Sequence, residues 1–191
     1  MLRPLLAAAF VAAFTTPALA ADYLVDANHT QASFAVTHLA ISRVTGKVPV
    51  TGGTVSLGSN DVPTAISMTL SAKDIDTQSA GRDRDLRGAD WFDVEKFPTM
   101  TFTAKTITGT PQALTVAGYF TMHGVTKPVT FTAKEIGKMT DQRGRTRVGY
   151  SANATLDRRQ WNLNFGAATP GGSLIAGNDV TIDLNVEIVS R

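Results

Sequence analysis

The sequence predicts an all-β protein, an eight-stranded antiparallel barrel with one short helix packed against it. Apolar and polar residues alternate with a period of two over most of the chain, as half-buried strands do. Turn residues recur at short intervals, so consecutive strands are joined by short connections and run antiparallel. A single stretch, residues 82–102 (RDRDLRGADWFDVEKFPTMTF), abandons the alternation. Many alternating runs are about ten residues long, roughly 33 Å at the usual rise, which is long for a sandwich of this size and favours a barrel.

The strands follow in order from Asp22. Residues 29–38 put Ala32, Phe34, Val36 and His38 on one face. A second strand over 43–57 is interrupted near Pro49 and Gly52-Gly53, where a bend or bulge fits. Asn60-Asp61 marks a turn, and residues 63–72 set Ile66, Met68 and Leu70 against Ala65, Ser67 and Thr69. Beyond Pro98 come Met100, Phe102 and Ala104, then, after a turn over 109–111, Leu114, Val116, Gly118, Phe120 and Met122. His123-Gly124 starts the next turn, and Val129, Phe131 and Ala133 face inward after it. A loop around residues 141–144 leads to Val148, Tyr150, Ala152, Ala154 and Leu156. A Gly-rich loop over 166–177 precedes the cleanest alternation of all: Val180, Ile182, Leu184, Val186 and Ile188.

Within the exceptional stretch, four charges (Arg82, Asp83, Arg84, Asp85) lead into a helix expected around 86–92. Asp83 and Arg87 have the i, i+4 spacing of a supporting pair. Leu86, Ala89 and Phe92 or Asp93 give the helix one narrow apolar face, which needs the end or flank of a rolled sheet to lie against.

Residues 1–20 read as a secretory leader: Arg3 is the basic start, residues 5–14 the apolar segment, and Ala18-Leu19-Ala20 the cleavage signal. The apolar segment is too short to span a membrane as a helix. The remainder, about 170 residues, fits one domain over 21–191. Removing Arg3 takes the 18 basic residues down by one against 16 acidic ones, so the high pI reflects near balance and gives no case for nucleic acid. An export signal with no cysteine in the chain suits the periplasm of a Gram-negative bacterium. A membrane-embedded barrel is disfavoured, because strand ends carry no aromatic girdles and the final residue is Arg191 rather than an aromatic.

The inward set mixes large residues (Phe34, Met68, Phe102, Phe120, Phe131, Leu184) with Ala32, Ala104, Gly118, Ala133, Ala152 and Ala154. An eight-stranded barrel is just wide enough to fill itself or to hold one small ligand. The small residues either leave a cavity or offset bulky neighbours across the barrel, and periodicity does not separate the two.

Polar chemistry is sparse. His29 and His38 have opposite strand parity, no H-x-H pair occurs, and cysteine is absent, so the three histidines (His123 is the third) read as partners of backbone carbonyls near strand ends rather than metal ligands. No G-x-S-x-G elbow marks a hydrolase. Arg82, Arg84, Arg87 and Arg158-Arg159 either form a solvated, salt-bridged face or bind a polar head group at a barrel mouth. Trp161, Leu163 and Phe165 either line that mouth or belong to the core.

Taken together, these residues resemble the YceI-like family of bacterial periplasmic lipid-binding proteins. The resemblance spans the mature chain. It rests on His29 with Phe34, Val36 and His38; on Thr77 through Arg82-Asp83 and Leu86-Arg87; on Trp91-Phe92-Asp93; on the run from Phe97 to Phe102; on Gly118 through His123-Gly124 to Val129; and on Asp157-Arg158 with Trp161, then Asp179-Val180. It implies a lipocalin-like barrel whose apolar tunnel holds a polyisoprenoid, an isoprenoid quinone or a fatty-acid-like amphiphile, in proteins that bind rather than catalyse and that often form dimers. Asp85 stands where the family commonly has His, and Asn162 where it commonly has Gly.

The expected function is a periplasmic carrier for a long-chain ligand. Phe34, Val36, His38, Met68, Phe102, Gly118, Phe120, Phe131 and Trp161 are expected around the chain, and Arg82, Arg87 and Arg158 at the head group. No cofactor is expected beyond the lipid itself. A homodimer and a transient membrane-protein partner are compatible with this reading. The alternative is an enzyme acting on a lipidic or redox substrate through a histidine or a metal.

Overall fold

One antiparallel sheet closes on itself around a largely apolar interior. The computed structural model describes residues 21–164, 172 and 174–191. The expected leader, Phe165 and most of the Gly-rich loop lie outside the described residues. The strands are β1 (Ala21–Val25), β2 (Gln31–His38), β3 (Ser42–Lys47), β4 (Val50–Leu57), β5 (Pro63–Ser71), β6 (Thr99–Thr110), β7 (Ala113–Met122), β8 (Val125–Thr140), β9 (Thr146–Asp157) and β10 (Ala176–Ser190), with helix α1 at Ala80–Arg87. Their order is β1-β4-β5-β6-β7-β8-β9-β10, and β10 pairs back to β1.

These ten strands make eight staves. The end of β10 pairs with β1, aligning Val25 with Ile188, while its first two-thirds pairs with β2, aligning Val36 with Val180. β1 and β2 are thus one stave, interrupted where Asp26 folds a turn by accepting the Asn28 and His29 amides. β3 and β4 are a second, broken at Val48-Pro49, where Val48 N–H turns to the Ala32 carbonyl and proline has no donor to offer. The expected single strand over 43–57 is therefore these two pieces, with a register shift beside Gly52. At His123-Gly124 both residues have positive φ, the geometry of a two-residue hairpin turn.

Inward and outward faces follow the alternation. Thr181, Asp183, Asn185 and Glu187 point out of β10 while Ile182, Leu184 and Val186 point in. This polarity is the reverse of a lipid-embedded barrel. Among the described residues no helix is long and apolar enough to cross a membrane.

The helix lies earlier than expected: it spans Ala80–Arg87 instead of 86–92. The charged run is the helix itself. Asp83 is buried beneath its N-terminal end, where its carboxylate accepts the Thr77 amide (2.8 Å) and hydroxyl (2.5 Å) and complements the helix dipole. The Thr77 hydroxyl holds this carboxyl below its usual range. Gly88 N–H caps the Asp85 carbonyl and ends the helix. The chain then folds back, Phe92 N–H bonding the Leu86 carbonyl and Val94 N–H that of Arg87. Arg87 turns away from the expected pairing and donates to the Ile75 carbonyl.

At the end of the barrel remote from α1, a charge network clamps three segments. Arg147 on β9 binds Asp26 (2.8 Å), Asp141 of the β8–β9 turn (3.1 Å) and Glu187 of β10. The Arg147 guanidinium draws the Asp26 carboxyl from 3.8 down to about 2. Because the folded state binds this proton less readily than the unfolded chain, the stabilisation is complete above pH 3.8 and is lost as pH falls towards 2. Chemical denaturation midpoints are expected to decline over that window in the native protein, and to decline less in Asp26→Asn.

Gly118 of β7 is fixed by close approach: a Cβ there would lie 2.4 Å from the Thr103 carbonyl oxygen and 2.7 Å from Cζ of Phe102. Gly118→Ala is expected to lose about 1–3 kcal/mol in urea unfolding, and Gly118→Leu to disrupt the β6–β7 pairing instead of merely filling the lumen.

Candidate ligand-binding cavity

The lumen is solid at one end and hollow towards the other. Val148, Leu57 and Ile188, each no more than 2% exposed, fill the floor. Above them opens a cavity of about 390 Å³, running up to α1 and the start of β10. From Tyr150 to Leu156, both lining residues on β9, the chain advances six residues, about 20 Å at the strand rise. The wall is almost entirely carbon. Among the described residues, its titratable side chains are His38, Arg82, Asp85 and Arg158 at the mouth, and Tyr150 near the floor.

Of the residues expected around the chain, Phe34, Val36 and His38 on β2, Met68 on β5, Phe102 on β6, Phe120 on β7 and Phe131 on β8 all line this cavity. Phe102 and Phe131 meet edge to face, with centroids 5.2 Å apart. Gly118 and Trp161 do not line it. The ring of Phe102 occupies the space a Gly118 side chain would need. Trp161, 1% exposed, is packed behind Phe120, its Nε1–H donating to the Phe120 carbonyl (3.1 Å) and its ring 5.9 Å from that of Phe120. It belongs to the support of the wall. Both readings of the small inward residues thus hold in part: Ala32, Ala133 and Ala152 border open space, whereas Gly118 makes room for a ring.

The structure separates the three arginines expected at the head group. Arg82 and Arg158 reach the mouth; Arg87 does not line it. Arg158 is 5% exposed, and its three nitrogens donate to the carbonyls of Gly177 (2.9 Å), Ala176 (3.0 Å) and Leu163. Burial pushes its pKa down, and its guanidinium lies 5.6 Å from the Trp91 ring centroid, a cation–π contact. Arg82 donates from Nε to the Thr77 hydroxyl (2.7 Å) and from Nη2 to the Thr77 carbonyl (2.9 Å). These side chains staple loop backbone first and bring positive charge to the mouth second.

Several lining residues fell outside the expected site. Ile66, Ile182, Leu184 and Tyr150 share the inward parity and were legible by it. Leu86 and Phe92, identified as the apolar face of the helical stretch, reach into the same space, as does Trp91.

The histidines do not form a metal centre together. His123 Nδ1 pairs with the Trp161 carbonyl (3.1 Å), as expected for a strand-end histidine. His29 pairs with the Asp26 carboxylate instead (2.9 Å). Among the described residues, Asp26, His29 and Glu187 bring potential ligand atoms within 4.8 Å of one another, and Arg147 is ion-paired with both carboxylates.

A profile of the YceI-like domain matches residues 23–188. The chain belongs to the YceI-like family. It is 34% identical to Protein YceI of Salmonella newport (strain SL254) over 155 residues, covering 78% of this chain and 81% of that one. It is also 34% identical to Protein YceI of Escherichia coli O157:H7 over 149 residues, 76% and 78% respectively. Among solved structures, Burkholderia cenocepacia BcnA superposes with a TM-score of 0.70 at 17% identity, covering 85% of this chain and 98% of its own. A polyisoprenoid binding domain from Saccharophagus degradans, implicated in plant cell wall breakdown, gives 0.62 at 13%, covering 88% and 98%. At these identities the structural likenesses establish the barrel.

The departures from the YceI-like pattern also find places. Asn162 has φ 61° and ψ 16°, a left-handed conformation that glycine and asparagine both tolerate, so this exchange preserves the turn after Trp161. Asp85 lines the mouth and adds a carboxylate beside the arginines. Phe120→Trp is expected to narrow the lumen: ligand bound per protein should fall at least severalfold, with an unfolding midpoint close to that of the native YceI-like protein, as read by lipid extraction alongside thermal denaturation.

Proposed function

We propose that this YceI-like protein is an exported, periplasmic carrier or reservoir holding one long-chain apolar ligand in its barrel: a polyisoprenoid, an isoprenoid quinone or a fatty-acid-like amphiphile. The single observation that carries this reading is the carbon-lined cavity of about 390 Å³. Leaving an apolar lumen of that size unfilled costs its lining side chains the contacts of a close-packed interior. A bound chain removes that cost.

The shape favours a long chain over a small one. Association costs about 4–15 kcal/mol, and each buried methylene returns about 0.8 kcal/mol. Roughly ten buried carbons scarcely break even, whereas a longer chain along the barrel axis clears the cost. The positive charge of Arg82 and Arg158 at the mouth suits a polar or anionic head group left at the surface. The Saccharophagus degradans relative, described as a polyisoprenoid binding domain, supports the same ligand class. Binding rather than catalysis is supported by a wall whose polar atoms are few and lie at its two ends. Export is supported by the leader pattern in residues 1–20.

Protein released by osmotic shock is expected to carry about one equivalent of a long-chain lipid, seen by native mass spectrometry as a mass increment that organic solvent removes. Recovery of a lipid-free protein that takes up no long-chain amphiphile on incubation would contradict the carrier reading.

A further inference from the structure

The β2–β3 hairpin ends in an apolar tip. His38 and Ser42 pair at its base. Between them stand Leu39, Ala40 and Ile41, turned by a hydrogen bond from the Ile41 amide to the His38 carbonyl (3.1 Å). Leu39 and Ala40 have φ of 52° and 61°, the left-handed region that hairpin turns ordinarily give to asparagine or glycine. Ile41 is 84% exposed, more than any other large hydrophobic side chain among the described residues. Neither turn chemistry nor burial accounts for this composition: the turn would favour polar residues or glycine, and the core gains little from Ile41.

The tip adjoins the mouth of the cavity. His38 lines that mouth, and the Leu39 amide donates to the Ile175 carbonyl (3.1 Å). Ile175 is 41% exposed and lines the cavity at the same time. Val36 and Val44, aligned across the hairpin, continue the apolar lining inward. Apolar side chains thus follow one another from the tip, over the rim and into the lumen. The exposed Leu24 and Met139, by contrast, lie at the closed end, aligned with Val189 and Arg147.

We propose that this tip is a docking point for a lipid bilayer. Leu39 and Ile41 enter the acyl boundary and hold the mouth against the membrane while the long-chain ligand passes between bilayer and lumen. The inference rests on the carrier reading above and adds the surface with which the carrier exchanges its cargo. A long chain crossing open water is penalised for every methylene it exposes, and an apolar rim pressed into the bilayer closes that gap. A bilayer fits better than a protein because the tip is a knob. A protein partner needs a pocket shaped to receive it, whereas fluid acyl chains close around a protrusion. Arg43, exposed two residues past Ile41, donates from Nη2 to the Thr181 hydroxyl on the outer wall (3.3 Å). With Arg82 at the rim it sets positive charge at the level of the head groups, which favours anionic lipid.

The chain has no cysteine, so Ile41→Cys and Met139→Cys each give one attachment point for nitrobenzoxadiazole, whose emission brightens and shifts to the blue in hydrocarbon. With vesicles of equal parts phosphatidylcholine and phosphatidylglycerol, the label at position 41 is expected to brighten severalfold and the label at position 139 to stay as in water. In flotation of unlabelled protein, Ile41→Ser is expected to bind these vesicles about tenfold more weakly than the native chain, with the same thermal unfolding midpoint and the same amount of co-purifying lipid. A label at position 41 that stays dim with vesicles, or Ile41→Ser floating as the native chain does, would overturn the proposal and leave the carrier reading standing. So would brightening that follows protein concentration without vesicles, the mark of a contact between two copies of the chain. A native protein that neither carries nor takes up a long-chain amphiphile fails the carrier reading, and this inference with it.

Discussion

Closure through β10 is the constraint on which the rest of the structure depends. One edge of this strand pairs with β9 along eleven aligned positions, while its other edge is shared between β2 and β1. Because both edges are satisfied, the sheet has no free edge at the seam. The pairing also fixes which residues face inward, since a slip of one residue would exchange the two faces of the strand. Ile182, Leu184 and Val186 point into the lumen only in this register. The charge network at Asp26, Asp141, Arg147 and Glu187 lies at the same seam and holds together the three segments that meet there.

Closure alone would not leave a cavity. The lumen is hollow because its filling is uneven. Towards the floor, Val148 and Ile188, paired on adjacent strands, and Leu57 are almost fully buried. Towards the mouth, aromatic rings lie along the wall instead of across the axis. Phe102 rests in the space left by Gly118, and Phe34 lies over Gly46, where a Cβ would come within 2.5 Å of its ring. Glycine beside a phenylalanine on the neighbouring strand thus places ring area on the wall while keeping the axis open.

The mouth is held by main-chain carbonyls and arginines. Arg82 anchors the segment ahead of α1 at Thr77, Arg87 reaches Ile75, and Arg158 gathers the carbonyls of Leu163, Ala176 and Gly177. A guanidinium suits this task, because its planar fork of donors can satisfy several loop carbonyls at once. Charge is delivered to the cavity entrance as a consequence of building it.

Strand positions, inward parity and the eight-stave barrel were legible in the chain because alternation is a local property, and each strand reports its own faces. The wall residues Phe34, Val36, Met68, Phe102, Phe120 and Phe131 were legible for the same reason. The limits of the helix were not: the charged run at 82–85 is helical because Asp83 bonds Thr77, a contact that alternation does not register. Nor could parity reveal that Trp161 supports the wall from behind, or that Gly118 houses a neighbouring ring. Those depend on how side chains from different strands share one volume, and that volume exists only once the sheet has closed.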